Sequence, residues 1–202
     1  METSDLRDIA QKRYDDFVDA LREMVNVDCG SYTPDGVNVI ADLCQARFEG
    51  GGWAVERMRH EPDEGQEQLG DLVIGRLEGS ASKRVLMIGH TDTVFDTGTV
   101  AERPFATEGD RAFGPGVTDM KGGLLTGFFA VEVLQAAGFE DFGRITYICN
   151  PDEEIGSPWS RETILAEAGR ADAALVLEGA RENGDIVSSR KGVLDVRLEI
   201  DG

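Results

Sequence analysis

Apolar residues recur at helical spacing near the start of the chain, at Leu6, Ile9, Ala10, Phe17, Ala20, Leu21, Met24 and Val25. That period predicts one amphipathic helix, with Asp5 and Asp8 at the positive end of its macrodipole. A second helical stretch covers residues 37–48 and stops at Gly50-Gly51-Gly52, a run that few helices cross. The pattern then shortens, and residues 53–58, 71–77 and 84–89 read as strands. The last of these, Arg-Val-Leu-Met-Ile-Gly, is apolar almost throughout, as expected of a strand covered on both faces. Residues 124–134 read as a buried helix, 144–149 as a buried strand, 163–168 as a helix and 173–177 as a further strand. Strands alternating with helices predict an α/β fold, a mostly parallel sheet with helices on both faces.

After Gly179 the pattern changes to two short strand-like stretches, 186–189 and 193–200. The second alternates apolar and polar residues, as a half-exposed antiparallel strand does. The expected division therefore falls at 190, with residues 1–189 forming the main domain and 190–202 opening a second.

Composition narrows the functional classes. The chain has 202 residues and a formal charge of −19, so it lacks the basic face that nucleic acid or anionic lipid requires. No run approaches the ~18 apolar residues of a membrane span. The first residues, Met-Glu-Thr-Ser-Asp, are acidic where a secretory signal is basic. Cys29, Cys44 and Cys149 are odd in number and widely spaced, suggesting neither a disulfide framework nor a thiolate zinc knuckle. A reducing cytoplasm is the expected setting. Four lysines stand against sixteen arginines; an acidic, lysine-poor surface suits a halophile, whose salt screens self-repulsion, and equally an ordinary acidic protein from a GC-rich genome.

The candidate chemistry lies at the ends of the predicted strands, where open α/β sheets place their ligand sites. The first strand end carries Gly-His-Thr-Asp-Thr-Val, residues 89–94. Residues i and i+2 of an extended segment share a face, so the Asp92 carboxylate can accept the His90 ring N–H and leave the other nitrogen for a metal. A second segment, Gly-Pro-Gly-Val-Thr-Asp-Met-Lys-Gly-Gly at 114–123, sets Asp119 among glycine-rich turns at the start of a helix. Asp119 there reads either as a helix N-cap or as a carboxylate held in a fixed direction. It is not a dinucleotide loop, because Asp119 stands where the third glycine of Gly-x-Gly-x-x-Gly belongs.

The third element, Asp152-Glu153-Glu154-Ile155-Gly156-Ser157, follows a buried strand. Three successive acids repel one another unless cations hold them, although a solvated acidic loop is the plainer alternative. Glu154 can bind a metal while Glu153 accepts a proton from the attacking water. The fourth is Glu178, delivered by the apolar run Ala174-Leu175-Val176-Leu177. Together the four ends supply one imidazole and three carboxylates as ligands, with one carboxylate to orient the histidine and one to act as base. That mixture suits zinc, with cobalt or manganese as substitutes.

These three motifs, in this order, resemble the signatures of the dinuclear zinc metallopeptidase family that includes carboxypeptidase G, acetylornithine deacetylase, succinyl-diaminopimelate desuccinylase and aminoacylase. Residues 105–116 and 156–161 look most like its glutamate carboxypeptidase branch. The resemblance implies a zinc-exopeptidase-like catalytic domain with two Zn2+. Asp119 would bridge the ions, His90 and Glu178 would bind one and Glu154 the other, Glu153 would be the general base and Asp92 the partner of His90. It also implies a cis peptide between Asp119 and Met120. The expected activity is hydrolysis of an amide bond in an N-acyl amino acid or small peptide, a small-molecule substrate. No nucleic-acid or membrane partner is expected, and a homodimer is expected for the full-length form. The family places a second histidine ligand later in sequence, beyond an α+β lid and dimerisation domain whose opening resembles residues 191–194. The chain therefore reads as the N-terminal part of such an enzyme, truncated at the start of its lid and with little activity alone; the alternative is a non-catalytic metal-binding fragment. His60 reads as a surface residue rather than a ligand.

Overall fold

A computed structural model describes residues 2–181, 183–192 and 196–200. In place of the one long helix expected at the start there are two, α1 (Thr3–Lys12) and α2 (Tyr14–Val25), broken at Arg13 with φ −103° and ψ 7°. Burial explains the break. No residue of α1 is buried, whereas α2 buries Ala20, Leu21, Met24 and Val25, so only the second half of the amphipathic pattern is fixed against the core. Arg13 itself leaves the helical path to pair with Glu132 at 2.7 Å.

Helix α3 (Pro34–Gly50) follows, with proline in its first turn and a glycine run at its end. Gly52, at φ 76°, turns the chain into β1 (Ala54–Met58). Strands β2 (Leu72–Glu78) and β3 (Arg84–His90) come next, then the short helix α4 (Thr99–Glu102) and a hairpin of β4 (Ala106–Glu108) and β5 (Arg111–Phe113). Helix α5 (Gly122–Ala136), strand β6 (Arg144–Asn150), helix α6 (Arg161–Ala168) and strand β7 (Ala173–Val176) complete the regular elements.

The main sheet has the order β1-β2-β6-β3-β7. Pairings β1–β2 and β2–β6 are antiparallel and β6–β3 and β3–β7 parallel, so four strands run one way and only β2 opposes them. Period-two alternation divides the sheet between two packed layers. Val73, Met87, Ile145, Tyr147 and Cys149 join α2, α3 and α5 in the larger core, and Leu72, Ile74, Leu86 and Ile148 pack with Trp159 and Ile164 on the other face. Helices therefore cover both faces, as expected of an α/β fold. Helix α5 is apolar on most of its surface and buries Leu124, Leu125, Phe128, Phe129, Val131 and Val133, which identifies it as the central helix of the larger layer. Gly75 lets this layer close, since a Cβ there would lie 2.2 Å from the Phe48 ring.

Strand β7 is an edge strand, and Leu175 and Val176 stay exposed on it. The two strands expected beyond Gly179 are not formed among the described residues. Residues 186–189 and 196–200 are irregular, and positions 193–195 lie outside the described residues. Alternation needs a neighbouring strand to become a sheet, and with Ile186, Val196, Leu198 and Ile200 at least 80% exposed these stretches have no face to pack on.

Candidate metal centre

Register brings the chemistry together. Strands β3 and β6 end side by side, with His90 opposite Asn150, and the ladder continues as the Thr91 N–H donates to the Asn150 carbonyl at 2.8 Å. On the other side of β3 the Leu177 N–H donates to the Ile88 carbonyl at 3.0 Å, which leaves Glu178 next to His90. The parallel order thus gathers three strand ends at one edge.

The fourth segment is a turn at Val117–Lys121, entered through Gly116 at φ 73° and interrupted by non-helical Asp119 (φ −122°, ψ 95°) and Met120. The Asp119–Met120 peptide is cis, as the family resemblance implied. Asp119 does not cap the helix that follows; its exposed carboxylate lies 3.1 Å from His90 Nε2. Gly123 allows α5 to start close under β7, because a Cβ there would sit 1.7 Å from the Leu177 carbonyl oxygen.

His90 is buried, and its two nitrogens have different surroundings. Nδ1 faces the Asp92 carbonyl oxygen at 2.9 Å and Asp92 Oδ1 at 3.3 Å, two acceptors that commit it to carrying the proton. Nε2 faces Asp119 at 3.1 Å, Glu178 at 3.6 Å and Glu153 at 3.9 Å. Candidate ligand atoms fall into two overlapping groups, His90 with Asp119 and Glu154, and His90 with Glu153 and Glu178, each within 4.8 Å. No lysine or arginine among the described residues forms an ion pair with any of these four carboxylates.

The electrostatics follow from this concentration of negative charge. Burial alone would lower the His90 pKa, but the hydrogen bond and charge of Asp92, then Glu178 and Glu153, outweigh it and lift the ring to about 9. Glu154 is raised to about 7 by burial and then by the charge of Asp119. Glu178 is raised as well, by burial, with His90 and more weakly Arg190 opposing the effect and Asp119 and Glu153 adding to it. The site therefore attracts positive charge to the point where Nε2 lies. The donor set, one imidazole with a committed Nδ1 and several unpaired carboxylates, fits a divalent cation of the zinc type.

Sequence reasoning grouped the acids at 152–154, and the structure separates them. Asp152 turns inward, fully buried, and accepts hydrogen bonds from the Trp159 and Ser160 N–H groups and the Ser160 hydroxyl, which folds the 152–160 loop. Glu153 and Glu154 start a short 3-10 turn whose N–H groups donate to Asp92 Oδ1 and Oδ2, both at 3.2 Å. Ser31, which the sequence did not single out, donates its hydroxyl to Asp92 Oδ2 at 2.7 Å. It is placed there by the Thr93 N–H bond to the Cys29 carbonyl and by buried Lys121, whose Nζ donates to the Val27 carbonyl at 3.0 Å. A lone serine in the loop before a helix carries no signal for this role. His60 belongs to neither ligand group; its Nδ1 accepts from the Leu69 N–H and its ring meets Trp159 edge-on.

The family model for peptidase family M20/M25/M40 matches residues 86–199, more than half of the chain. The chain belongs to this family. As an M20-family chain it is 32% identical over 186 residues to carboxypeptidase G2 from Pseudomonas sp. (strain RS-16), covering 92% of this chain and 44% of that protein. It is 28% identical over 185 residues to acetylornithine deacetylase from Myxococcus xanthus, covering 90% and 46% respectively. The chain thus spans under half the length of these curated relatives. Among solved structures it is similar to human carnosine dipeptidase 1, with a TM-score of 0.74, 22% identity, and coverage of 88% of this chain and 41% of that one. The M20 family metallo-carboxypeptidase Sso-CP2 from Sulfolobus solfataricus matches with a TM-score of 0.67 at 20% identity, covering 83% and 38%. Both likenesses establish the fold. No helix among the described residues is long and apolar enough to cross a membrane.

Proposed function

We propose that the protein hydrolyses an amide bond in an N-acyl amino acid or small peptide, using two divalent cations, zinc first among them. The observation that carries this reading is His90 Nε2, within 3.9 Å of three carboxylates that form no ion pair with a lysine or arginine among the described residues. In this reading Asp119 would be shared by the two ions, His90 and Glu178 would hold one, and Glu154 would hold the other. Ions held there would supply polarisation of the scissile carbonyl and a lowered pKa for the attacking water.

The protein's own groups do the rest. Asp92 keeps the proton on His90 Nδ1 and turns Nε2 toward the carboxylates. Glu153, whose side chain is half exposed beside the ligand group, accepts a proton as the water oxygen bonds to the carbonyl carbon. It then delivers that proton to the leaving nitrogen as the C–N bond breaks. The acidic composition and the family support a cytoplasmic protein acting on a small molecule. A halophilic source is compatible with the same composition, and dimerisation belongs to the lid domain that we place from residue 190 onward.

A narrower reading is that these 202 residues bind metal without turning substrate over, the second imidazole and the lid being supplied by another stretch of polypeptide. It is favoured by the edge strand β7, where Leu175 and Val176 are more than half exposed. The two readings separate in one experiment. Glu153→Ala in the longest form of the protein that its gene encodes should abolish turnover and leave metal content unchanged. Retained turnover removes Glu153 from the mechanism, and absence of turnover in the parent protein selects the narrower reading.

A further inference from the structure

Beside the ligand groups lies a cleft of about 600 Å³, lined by Asp119 and Glu154 from those groups and by Val94, Phe95, Arg103 and Phe113. Arg103 is the only cation that lines it among the described residues. Its guanidinium sits 5.0 Å over the Phe95 ring, a geometry that holds the charge in place while leaving its N–H groups available. Among the described residues it pairs with no carboxylate, although the chain carries 39 acidic residues.

The wall that presents Arg103 is built rather than loose. The Asp28 carboxylate accepts the N–H groups of Gly98 and Val100, at 2.7 and 3.0 Å, and so caps α4. The Arg103 N–H closes that helix on the Thr99 carbonyl at 2.9 Å. Two residues on, the Phe105 N–H donates to Asn26 Oδ1 at 2.9 Å. Two side chains from the loop after α2 thus fix both ends of the segment from 98 to 105.

We propose that Arg103, flanked by the apolar surfaces of Val94, Phe95 and Phe113, is a subsite for a substrate carboxylate remote from the bond being cut. This deepens the amidohydrolase reading and rests on it. A substrate in this cleft would meet two carboxylates assigned to cations, Asp119 and Glu154, and one guanidinium, Arg103, in the same lining. A planar fork of donors favours a carboxylate over a neutral group. The apolar neighbours would hold the carbon chain between that carboxylate and the amide, so the substrate class is an amide with an acidic arm, on the acyl or on the amine portion.

The test uses the longest form of the protein that its gene encodes, loaded with zinc, and three substrates. N-succinyl-alanine has carboxylates on both sides of the amide, N-succinyl-alaninamide only on the acyl side, and N-butanoyl-alanine only on the amine side. Arg103→Ala should lower kcat/KM about ten- to a hundredfold for the substrates whose carboxylate reaches the subsite, through KM, the scale of one charge-assisted hydrogen bond. Arg103→Lys should restore part of that loss. Loss confined to the two succinyl substrates assigns the arm to the acyl portion, and loss confined to the two alanine acids assigns it to the amine portion. Equal loss on all three, or none, overturns the subsite. If the parent protein cuts none of them, the amidohydrolase reading fails first; succinate binding by calorimetry then decides the subsite, supported if Arg103→Ala weakens succinate but not its neutral diamide, succinamide, and overturned if succinate is unchanged or both weaken equally.

Discussion

Asp92 holds His90 and is itself fully occupied: Oδ1 lies 3.3 Å from His90 Nδ1 and accepts the Glu153 N–H, and Oδ2 accepts the Ser31 hydroxyl and the Glu154 N–H. Both oxygens of this buried carboxylate accept from the protein around it. One residue therefore links the ends of β3 and β6 to the loop after α2, and aims the imidazole.

Asp92→Asn should be far from silent for that reason. Each oxygen accepts from a backbone N–H, so an amide NH2 in either orientation faces another donor. An unsatisfied buried group of this kind costs about 1–3 kcal/mol, and losing the histidine's partner lowers metal affinity about 10–100-fold. Chemical denaturation and zinc titration should show both effects together; an unchanged zinc affinity would contradict the role assigned to Asp92.

Ser31→Ala removes a single donor to the same carboxylate. The expected cost is about 1.5–3 kcal/mol, the range for a hydrogen bond to a charged group, read as a lower urea midpoint. Ser31→Thr keeps the hydroxyl and should recover much of it. Zinc affinity should fall less than in Asp92→Asn, because the His90 contact survives.

Gly123→Ala tests the packing that delivers Glu178. A Cβ 1.7 Å from the Leu177 carbonyl oxygen cannot be accommodated without moving backbone, and overpacking of this sort costs about 1–3 kcal/mol. The residue displaced is the one before Glu178, so zinc affinity should drop as well as stability. Gly138→Ala is the useful comparison, because nothing lies within 4 Å of its added Cβ, although its φ of 71° strains the backbone. It should cost stability without changing zinc affinity.

Much of this was legible in the sequence. The strands ending at His90 and Asn150 are apolar runs closed by polar residues, and a sheet that is mostly parallel has to bring such ends to one edge. The chain-order motifs around His90, Asp119 and Glu154 pointed to the same place and to the same family. What was hidden depends on contacts distant in sequence. The helical period continues through Arg13 although the helix does not, because burial of α2 but not α1, and the distant partner Glu132, set where the path bends. Ser31 and Lys121 act through loops whose positions only the folded chain defines. Asp152 and Glu153 are neighbours of the same type, yet one is fully buried in a loop and the other faces the imidazole. The hairpin at 106–113 was visible in principle, since Gly109, at φ 60°, sits in the turn between short alternating runs. The alternation after Gly179 misled because it has no neighbouring strand to pair with among the described residues.

The central claim is that His90 and the surrounding carboxylates form a metal centre, and the most direct measurement is equilibrium dialysis of metal-stripped protein against zinc, with His90→Ala alongside. The account predicts stoichiometric zinc on the parent protein and an affinity at least a hundredfold weaker in His90→Ala. No zinc on the parent protein, or equal zinc on both, would contradict it.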